Sequence, residues 1–173
     1  FIMISIVKAK VENTALLAEI AKQSFIESHG SSAPPEDIEI YTSAKYNTPT
    51  LANELLDTKN NYHLVYYNNQ IAGFSNIMLN TPFASAGLQN IAKLDRIFLL
   101  KDFYNLKIGL RLFQFNIDLA KQNNQTGVWL FVWIENHKAI SFYKQNGFEV
   151  IGNFNFKISE THYNPNYQML LTL

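Results

Sequence analysis

The stretch IAKLDRIFLLKDFYNLKIGLRLFQFNIDLAKQ, residues 91–122, decides the fold. It begins with an apolar, branched segment at residues 97–100, which is flanked by charge and is typical of a buried strand. It ends, after Gly109, with apolar residues at helical spacing. A short polar segment, residues 101–107, joins the two parts. The sequence therefore predicts a strand, a tight turn and an amphipathic helix in succession.

A turn of this kind leaves several backbone N–H groups free at the start of a helix, all directed the same way. Together with the helix dipole they form an anion site, most often one for phosphate. Around the polar segment, residues 93–111, two aspartates, Asp95 and Asp102, are outnumbered by five basic residues, namely Lys93, Arg96, Lys101, Lys107 and Arg111. We therefore interpret this element as the holder of the phosphates of a cofactor.

Length and composition predict one globular domain, residues 1–173, with a substantial core. The formal net charge is zero, which argues against a nucleic-acid partner. The charge is nevertheless divided, because residues 1–60 carry eight acidic and five basic residues, and residues 61–173 carry six and nine. This division suits a site that binds an anionic ligand at one end and a cationic one at the other.

Several residue types and patterns are missing. The chain has no cysteine, which excludes disulfides and thiolate metal sites and favours a reducing compartment. Its four histidines show no metal-ligand spacing, so we predict no metal. No apolar run approaches the ~20 residues of a membrane span, and residues 1–10 lack the pattern of a signal peptide. We expect a cytoplasmic protein without a membrane partner.

Hydrophobic periodicity and turn residues predict the remaining elements. Strands are predicted at residues 4–9, 62–67, 70–80, 128–134, 148–151 and 167–173. Helices are predicted at residues 13–24, 36–46, 48–57 and 138–145. Asn68-Asn69 tolerates the positive φ of a tight hairpin, and residues 81–90 form a loop. This order predicts a mixed α/β protein.

Two segments resemble a known family. NHKAISFYKQNGFEVIG, residues 136–152, resembles the N-x-x-A-x-x-F-Y-x-x-x-G-F signature of the GNAT superfamily, the acyl-CoA-dependent N-acetyltransferases. RIFLLKDFYNLKIGLRLF, residues 96–113, resembles that family's acyl-CoA block. The resemblance implies a GNAT-type fold, with a central, mostly antiparallel, twisted sheet of six to seven strands flanked by about four helices. In detail, the chain is similar to the bacterial polyamine (spermidine/spermine) acetyltransferase branch.

The resemblance further implies acetyl-CoA as co-substrate, with no metal, and a homodimer as a common state. It assigns the pantetheine arm to the strand at Ile97, Phe98 and Leu99, with the Leu99 N–H as oxyanion donor. The other implied cofactor contacts are Tyr104, Asn105, Leu106, Lys107, Ile108, Gly109, Leu110, Asn136 and Tyr143.

The turn departs from the family's Q/R-x-x-G-x-G/A motif. Tyr104 replaces the usual Gln or Arg, and Asn105 and Lys107 stand where glycines bring the backbone nearest the pyrophosphate. A left-handed conformation at a non-glycine residue costs roughly 1–2 kcal/mol, which predicts a reshaped turn with Lys107 compensating through its charge.

The family's chemistry is direct attack of an amine on the thioester. The resemblance gives Tyr143 the role of acid toward the departing thiolate and Asp95 that of base toward the amine, through one water. The residues alone leave alternatives open. Tyr143 can be a core tyrosine, Asp95 a carboxylate paired with Lys93 or Arg96, and Asn136 a helix N-cap.

For the acceptor, residues 27–39 contain four acids and no Lys or Arg. Because this segment lines the acceptor groove in the family, we predict that Glu27 and Glu36 bind a small-molecule amine, with a polyamine as the natural candidate. His29 and His162 are further acceptor-pocket candidates. The alternative is that the acids form a solvated face.

The rival hypothesis for the whole chain is a degenerate relative that binds acyl-CoA without turning it over, as a sensor or interaction protein. Acetylation of protein N-termini also stays open. A different nucleotide-binding domain is disfavoured, because no G-x-x-x-x-G-K-S/T and no G-x-G-x-x-G follows any predicted strand.

Overall fold

The computed structural model describes residues 1–83 and 87–173. Within them the chain forms one seven-stranded sheet, whose strands are β1 Ile4–Lys8, β2 Asn60–Tyr67, β3 Gln70–Met78, β4 Ile91–Leu99, β5 Gly127–Trp133, β6 Glu149–Lys157 and β7 Tyr163–Thr172. The same residues form five α-helices, α1 Thr14–His29, α2 Pro35–Lys45, α3 Thr48–Leu56, α4 Ile108–Gln122 and α5 His137–Gln145.

The strands lie in the order β1-β2-β3-β4-β5-β7-β6, and only the β4–β5 pair is parallel. The prediction of a mixed α/β fold with a mostly antiparallel sheet of six to seven strands is confirmed. The predicted Asn68-Asn69 hairpin is also confirmed, with positive φ values of 47° and 65°. Part of the predicted loop 81–90, residues 84–86, lies outside the described residues.

Several elements are longer than their patterns predict, among them α1 and β6. Helix α1 continues past Ser24 to His29, because the hydroxyls of Ser24 and Ser28 donate to helix carbonyls and leave no polar group unsatisfied. Strand β6 continues to Lys157 because it pairs along β7, although most of its residues are exposed and carry no buried alternation. Hydrogen bonds within the helix therefore allow α1 to extend, and pairing with the next strand extends β6.

The β4–β5 junction positions the site. The two strands pair only through Ile91–Gly127, Ala92–Val128 and Lys93–Trp129, and no pairing continues beyond these residues. Strand β4 also has a bulge at this level, since Asn76 pairs with Arg96 while Ile77 pairs with Leu94. Asp95 is the additional residue. A bulge bends its strand and redirects a side chain, and here it lies where the sheet opens.

Two buried clusters hold the helices that border this opening. One packs α1, α2 and α3 against β2 and β3, with Leu17, Phe25 and Phe74 among its buried side chains. The other packs α4 and α5 against β5 and β7, through residues such as Phe113 and Met169. The last turn of α1 and the first turns of α4 and α5 are thereby held at the opening.

Candidate active site in the β4–β5 cleft

A cavity of about 930 Å³ occupies the opening between β4 and β5. It is lined by the end of α1, the bulged part of β4, the end of β5 and the beginnings of α4 and α5. It brings together thirteen of the fifteen predicted site residues, namely Glu27, Asp95, Ile97, Phe98, Leu99, Tyr104, Asn105, Lys107, Ile108, Gly109, Leu110, Asn136 and Tyr143. The predicted residues Leu106 and Glu36 do not line it.

The turn before α4 presents free backbone amides to this cavity. Tyr104 N–H donates to Lys101 O at 3.1 Å, and Arg111 N–H donates to Lys107 O at 3.2 Å. Between them, none of the N–H groups of residues 105–110 has an acceptor in the described part of the chain. Six consecutive free amides at the start of a 15-residue helix can donate to an anion.

Two non-glycine residues of the turn adopt the left-handed conformation. Asn105 has φ 64° and Lys107, the N-cap of α4, has φ 61°. This conformation costs roughly 1–2 kcal/mol for each residue. Asparagine is among the residues that tolerate this conformation best.

Lys138, in the first turn of α5, contacts the loop before α4 and stabilises it. Its Nζ donates to Asn105 Oδ1 at 3.0 Å and lies 5.3 Å from the centroid of the Tyr104 ring. The sequence analysis did not single out Lys138. A signal was nevertheless present, since a lysine in a first helical turn is unfavourable toward the helix dipole unless an anion lies nearby.

The β4 edge that faces the cavity offers a further donor. Leu100 N–H bonds to Ala72 O on the β3 side at 2.8 Å. Because alternate residues of a strand direct their amides to opposite edges, the Leu99 N–H is directed toward β5. Strand β5 does not pair at this level, so this amide is available to an oxyanion, as the resemblance implies.

Tyr143 and Asn136 reach the cavity from α5. The Tyr143 ring is buried among Phe113, Phe142 and Phe148, and burial raises the pKa of its phenol. No described residue forms a hydrogen bond with its hydroxyl. Asn136 Oδ1 accepts from Ala139 N–H at 3.3 Å and so caps α5, while the residue also lines the cavity.

Asp95 is held by two cations. Its carboxylate lies 2.9 Å from Lys93 Nζ and 3.6 Å from Arg96 Nε. Burial raises the pKa of this carboxyl, but Lys93, Arg96 and a hydrogen bond from Asn76 outweigh burial and leave the pKa below its usual value. In the structure Asp95 is therefore an ion-paired carboxylate, which is the alternative to a catalytic base that the sequence left open.

Arg96 connects the bulge to α3. Its Nη1 lies 2.8 Å from Glu54 Oε2, and both groups contact the Tyr62 hydroxyl. Its guanidinium also lies 5.2 Å from the Tyr46 ring. No pattern in the sequence indicates this network, because Arg96 and Glu54 are 42 positions apart.

His29 ends α1 inside the cavity. Its ring stacks on Phe25 at 5.0 Å and lies 5.7 Å from Trp133 on the opposite side of the opening. Its Nδ1 lies 2.7 Å from Ser28 Oγ, which itself donates to Ser24 O. The Ser28 oxygen then accepts from Nδ1–H, which leaves Nε2 as the basic nitrogen. Burial lowers the pKa of His29 to about 4.

This pKa predicts an acid-sensitive fold. Between pH 6.5 and 4 the unfolded chain binds a proton that folded His29 does not, so stability is full above pH 6.5 and falls toward pH 4. The loss is about 3 kcal/mol. Urea unfolding across this range should show a smaller loss for His29→Gln, whereas His137→Gln, whose ring is 79% exposed, should retain the wild-type dependence. Equal acid sensitivity of wild type and His29→Gln would contradict the assignment.

Of the acidic side chains of residues 27–39, Glu27 lines the cavity and Glu36 and Glu39 do not. Glu27 lines the cavity, but its carboxylate accepts from Lys101 N–H and from Gln23 Nε2. Glu36 is exposed outside the cavity, and Glu39 pairs with Lys22 at 3.0 Å. His162 also lies outside the cavity, where its Nε2 contacts Ser32 O at 2.8 Å.

Residues 1–83 and 87–173 contain neither a metal-ligand cluster nor a membrane-spanning helix. No group of three or more His, Cys, Asp or Glu side chains could hold a metal ion there. None of the helices in those residues has the length and apolar character that crossing a membrane requires.

Comparison with known proteins identifies the class that this fold and cleft define. The model of the acetyltransferase (GNAT) family matches residues 16–148. The chain belongs to the GNAT family of acetyltransferases, and the sequence-based assignment to that family is confirmed.

Individual relatives agree. The chain is 26% identical over 147 residues to the spermidine N(1)-acetyltransferase of Thermoplasma acidophilum, covering 85% of this chain and 89% of the relative. It is 22% identical over 144 residues to an uncharacterized N-acetyltransferase of Lactobacillus delbrueckii subsp. lactis, covering 83% of each. Its fold is similar to that of the PaiA N-acetyltransferase from Thermoplasma acidophilum, solved in complex with coenzyme A, with a TM-score of 0.79 at 23% identity over 99% of each chain.

Proposed function

We propose that this acetyltransferase transfers the acetyl group of acetyl-CoA to a primary amine by direct attack. The observation that carries the proposal is the run of six free amides at residues 105–110, which opens into the same cavity as Tyr143. The amides suit a diphosphate, and the unpaired edge of β4 suits an extended amide-containing arm. The relatives named N-acetyltransferase support it.

Each protein group has a defined task in this proposal. The amides of residues 105–110, with Lys107 and Lys138, hold the diphosphate, and acetyl-CoA supplies the thioester. The Leu99 N–H donates to the carbonyl oxygen as negative charge develops on it. The Tyr143 phenol donates its proton to the departing thiolate, and its raised pKa keeps the phenol protonated until that step.

The amine must also lose a proton. An alkylamine with a pKa near 10.4 is only about one part in two thousand neutral at pH 7, a penalty of roughly 4.6 kcal/mol. Asp95 is the predicted base and acts through one water, although Lys93 and Arg96 weaken its basicity. His29 Nε2, which is neutral and without a partner among the described residues, is the second group in the cavity able to accept this proton.

The acceptor is a small primary amine in this proposal. A polyamine is the acceptor that the sequence analysis predicts, and the spermidine N(1)-acetyltransferase relative supports it. Spermidine is therefore the reference acceptor in any panel.

The chain acts as one domain in this proposal. The homodimer implied by the resemblance stays a prediction, which light scattering would test.

Calorimetry and a thiol-release assay together test the proposal. Acetyl-CoA should bind with micromolar affinity, and free thiol should appear only when an amine is added. Binding without thiol release for any amine would favour the degenerate acyl-CoA-binding alternative. No binding heat at millimolar acetyl-CoA would overturn both.

A further inference from the structure

Five aromatic rings form one wall of the cavity. Trp133 lies 5.7 Å from His29, which stacks on Phe25 at 5.0 Å. Phe25 lies 4.8 Å from Tyr41, and Tyr41 lies 6.0 Å from Phe156. These five rings, which we call the aromatic wall, run without interruption from β5 across α1 and α2 to β6, and all five line the cavity.

The charges that line the cavity do not favour a polycation. Among the described residues its lining carboxylates are Asp95, which Lys93 and Arg96 neutralise, and Glu27, whose oxygens accept from Gln23 and from the Lys101 N–H. Lys45 also lines the cavity, is exposed, and has no ion-pair partner in residues 1–83 and 87–173. With Glu54 behind Arg96 included, three cations face three anions, so the cavity offers a second ammonium no net negative charge.

Cation–π attraction does not make the cavity favourable for a second ammonium group. Lys93 Nζ lies 5.2 Å from the Trp129 ring and 5.4 Å from the Phe131 ring. The Arg96 guanidinium faces Tyr46. The rings next to the β4 bulge are therefore already occupied by the protein's own cations, whereas the rings of the aromatic wall contact one another in stacked and edge arrangements that an additional ring can extend.

We propose that the acceptor is a primary amine carried on an aromatic ring system, with no second positive charge. The inference rests on the proposed function and narrows its acceptor. The ring lies against the aromatic wall, and the amine points toward Asp95, His29 and the thioester. It departs from the polyamine that the acidic segment predicts, because Glu36 and Glu39 lie outside the cavity and the carboxylate of Glu27 already accepts two hydrogen bonds.

An acceptor panel tests the inference. Initial rates of thiol release at saturating acetyl-CoA give kcat/KM for 2-phenylethylamine, tryptamine, butylamine, putrescine and spermidine. The two aromatic amines should exceed butylamine, a monoamine without a ring, by about tenfold or more, and spermidine should not exceed butylamine. A preference for spermidine would overturn the inference and leave the proposed function standing. Binding of acetyl-CoA without acetylation of any amine would overturn both.

Variants show whether the wall itself selects the acceptor. Trp133→Leu should lower kcat/KM for tryptamine about tenfold and leave butylamine within twofold, whereas Trp133→Phe should retain most of the preference. Tyr163→Leu, at a ring that is 50% exposed and outside the cavity, is the matched control and should change neither. An equal loss with tryptamine and butylamine in Trp133→Leu would mean a merely structural role and overturn the inference.

Lys45→Glu supplies an independent check. Lys45 is exposed near the end of α2, so the change should not disturb folding. Because Lys45→Glu replaces a cation by an anion in the cavity lining, the variant should raise kcat/KM for spermidine several-fold relative to butylamine. An unchanged ratio would contradict the electrostatic part of the inference.

Discussion

Tyr143→Phe is expected to lower kcat by at least about 100-fold, since a positioned general acid typically contributes 10²–10⁴-fold. The phenol lies in the cavity without a hydrogen-bond partner among the described residues, and burial keeps its pKa above the usual range. It is therefore protonated at neutral pH and free to donate. The ring remains in Tyr143→Phe, so the contacts with Phe113 and Phe148 persist and the fold should be unchanged.

Steady-state kinetics with acetyl-CoA as the varied substrate measures the effect. KM for acetyl-CoA should change little, because the hydroxyl is not needed to bind the diphosphate. Tyr167→Phe is the matched control, since Tyr167 packs against the same buried cluster but does not line the cavity. A Tyr143→Phe variant with kcat within twofold of wild type would exclude the phenol as the acid.

Asn105→Pro is expected to weaken acetyl-CoA binding by about 100-fold. Proline has no N–H and holds φ near −65°, whereas Asn105 has φ 64°. The variant therefore removes one of the six amides and forces the others out of alignment. A factor of 100 corresponds to about 2.7 kcal/mol, which is comparable to one or two hydrogen bonds to a charged group.

Asn105→Gly distinguishes the contribution of the backbone amide to acetyl-CoA binding from that of the side chain. Glycine keeps the N–H and adopts positive φ without strain, so calorimetric affinity should stay within a few-fold of wild type, even though the bond from Lys138 is lost. If Asn105→Pro bound acetyl-CoA as tightly as Asn105→Gly, the amides of residues 105–110 would not be the diphosphate site.

The sequence predicted the parts of the site that lie within continuous segments. Residues 104–110 and 136–143 form local units. The strand–turn–helix pattern predicted the turn, and the resemblance to the family's signature implied that α5 belongs to the site. The turn was recognisable without its usual glycines, and Asn105 and Lys107 both have positive φ.

The remaining features depend on contacts between distant segments. Lys138 reaches Asn105 across 33 positions, and Trp133 meets His29 only because β4 and β5 separate. The acidic segment was misleading for the same reason. A count of carboxylates in residues 27–39 does not reveal that Glu27 accepts from Lys101 N–H or that Glu39 pairs with Lys22.

The short ladder between β4 and β5 has a consequence for the lifetime of the protein. Three residue pairs join the β1–β4 half of the sheet to the half formed by β5, β7 and β6, whereas every other neighbouring pair shares at least five. An acyl-CoA molecule bound between β4 and β5 would contact both halves of the sheet. At 100 times its Kd, it adds about 2.7 kcal/mol to the free energy of unfolding. When little acyl-CoA is present, the two halves of the sheet should separate more often between β4 and β5, and proteases should cleave the enzyme faster. Its abundance should therefore follow the supply of acyl-CoA.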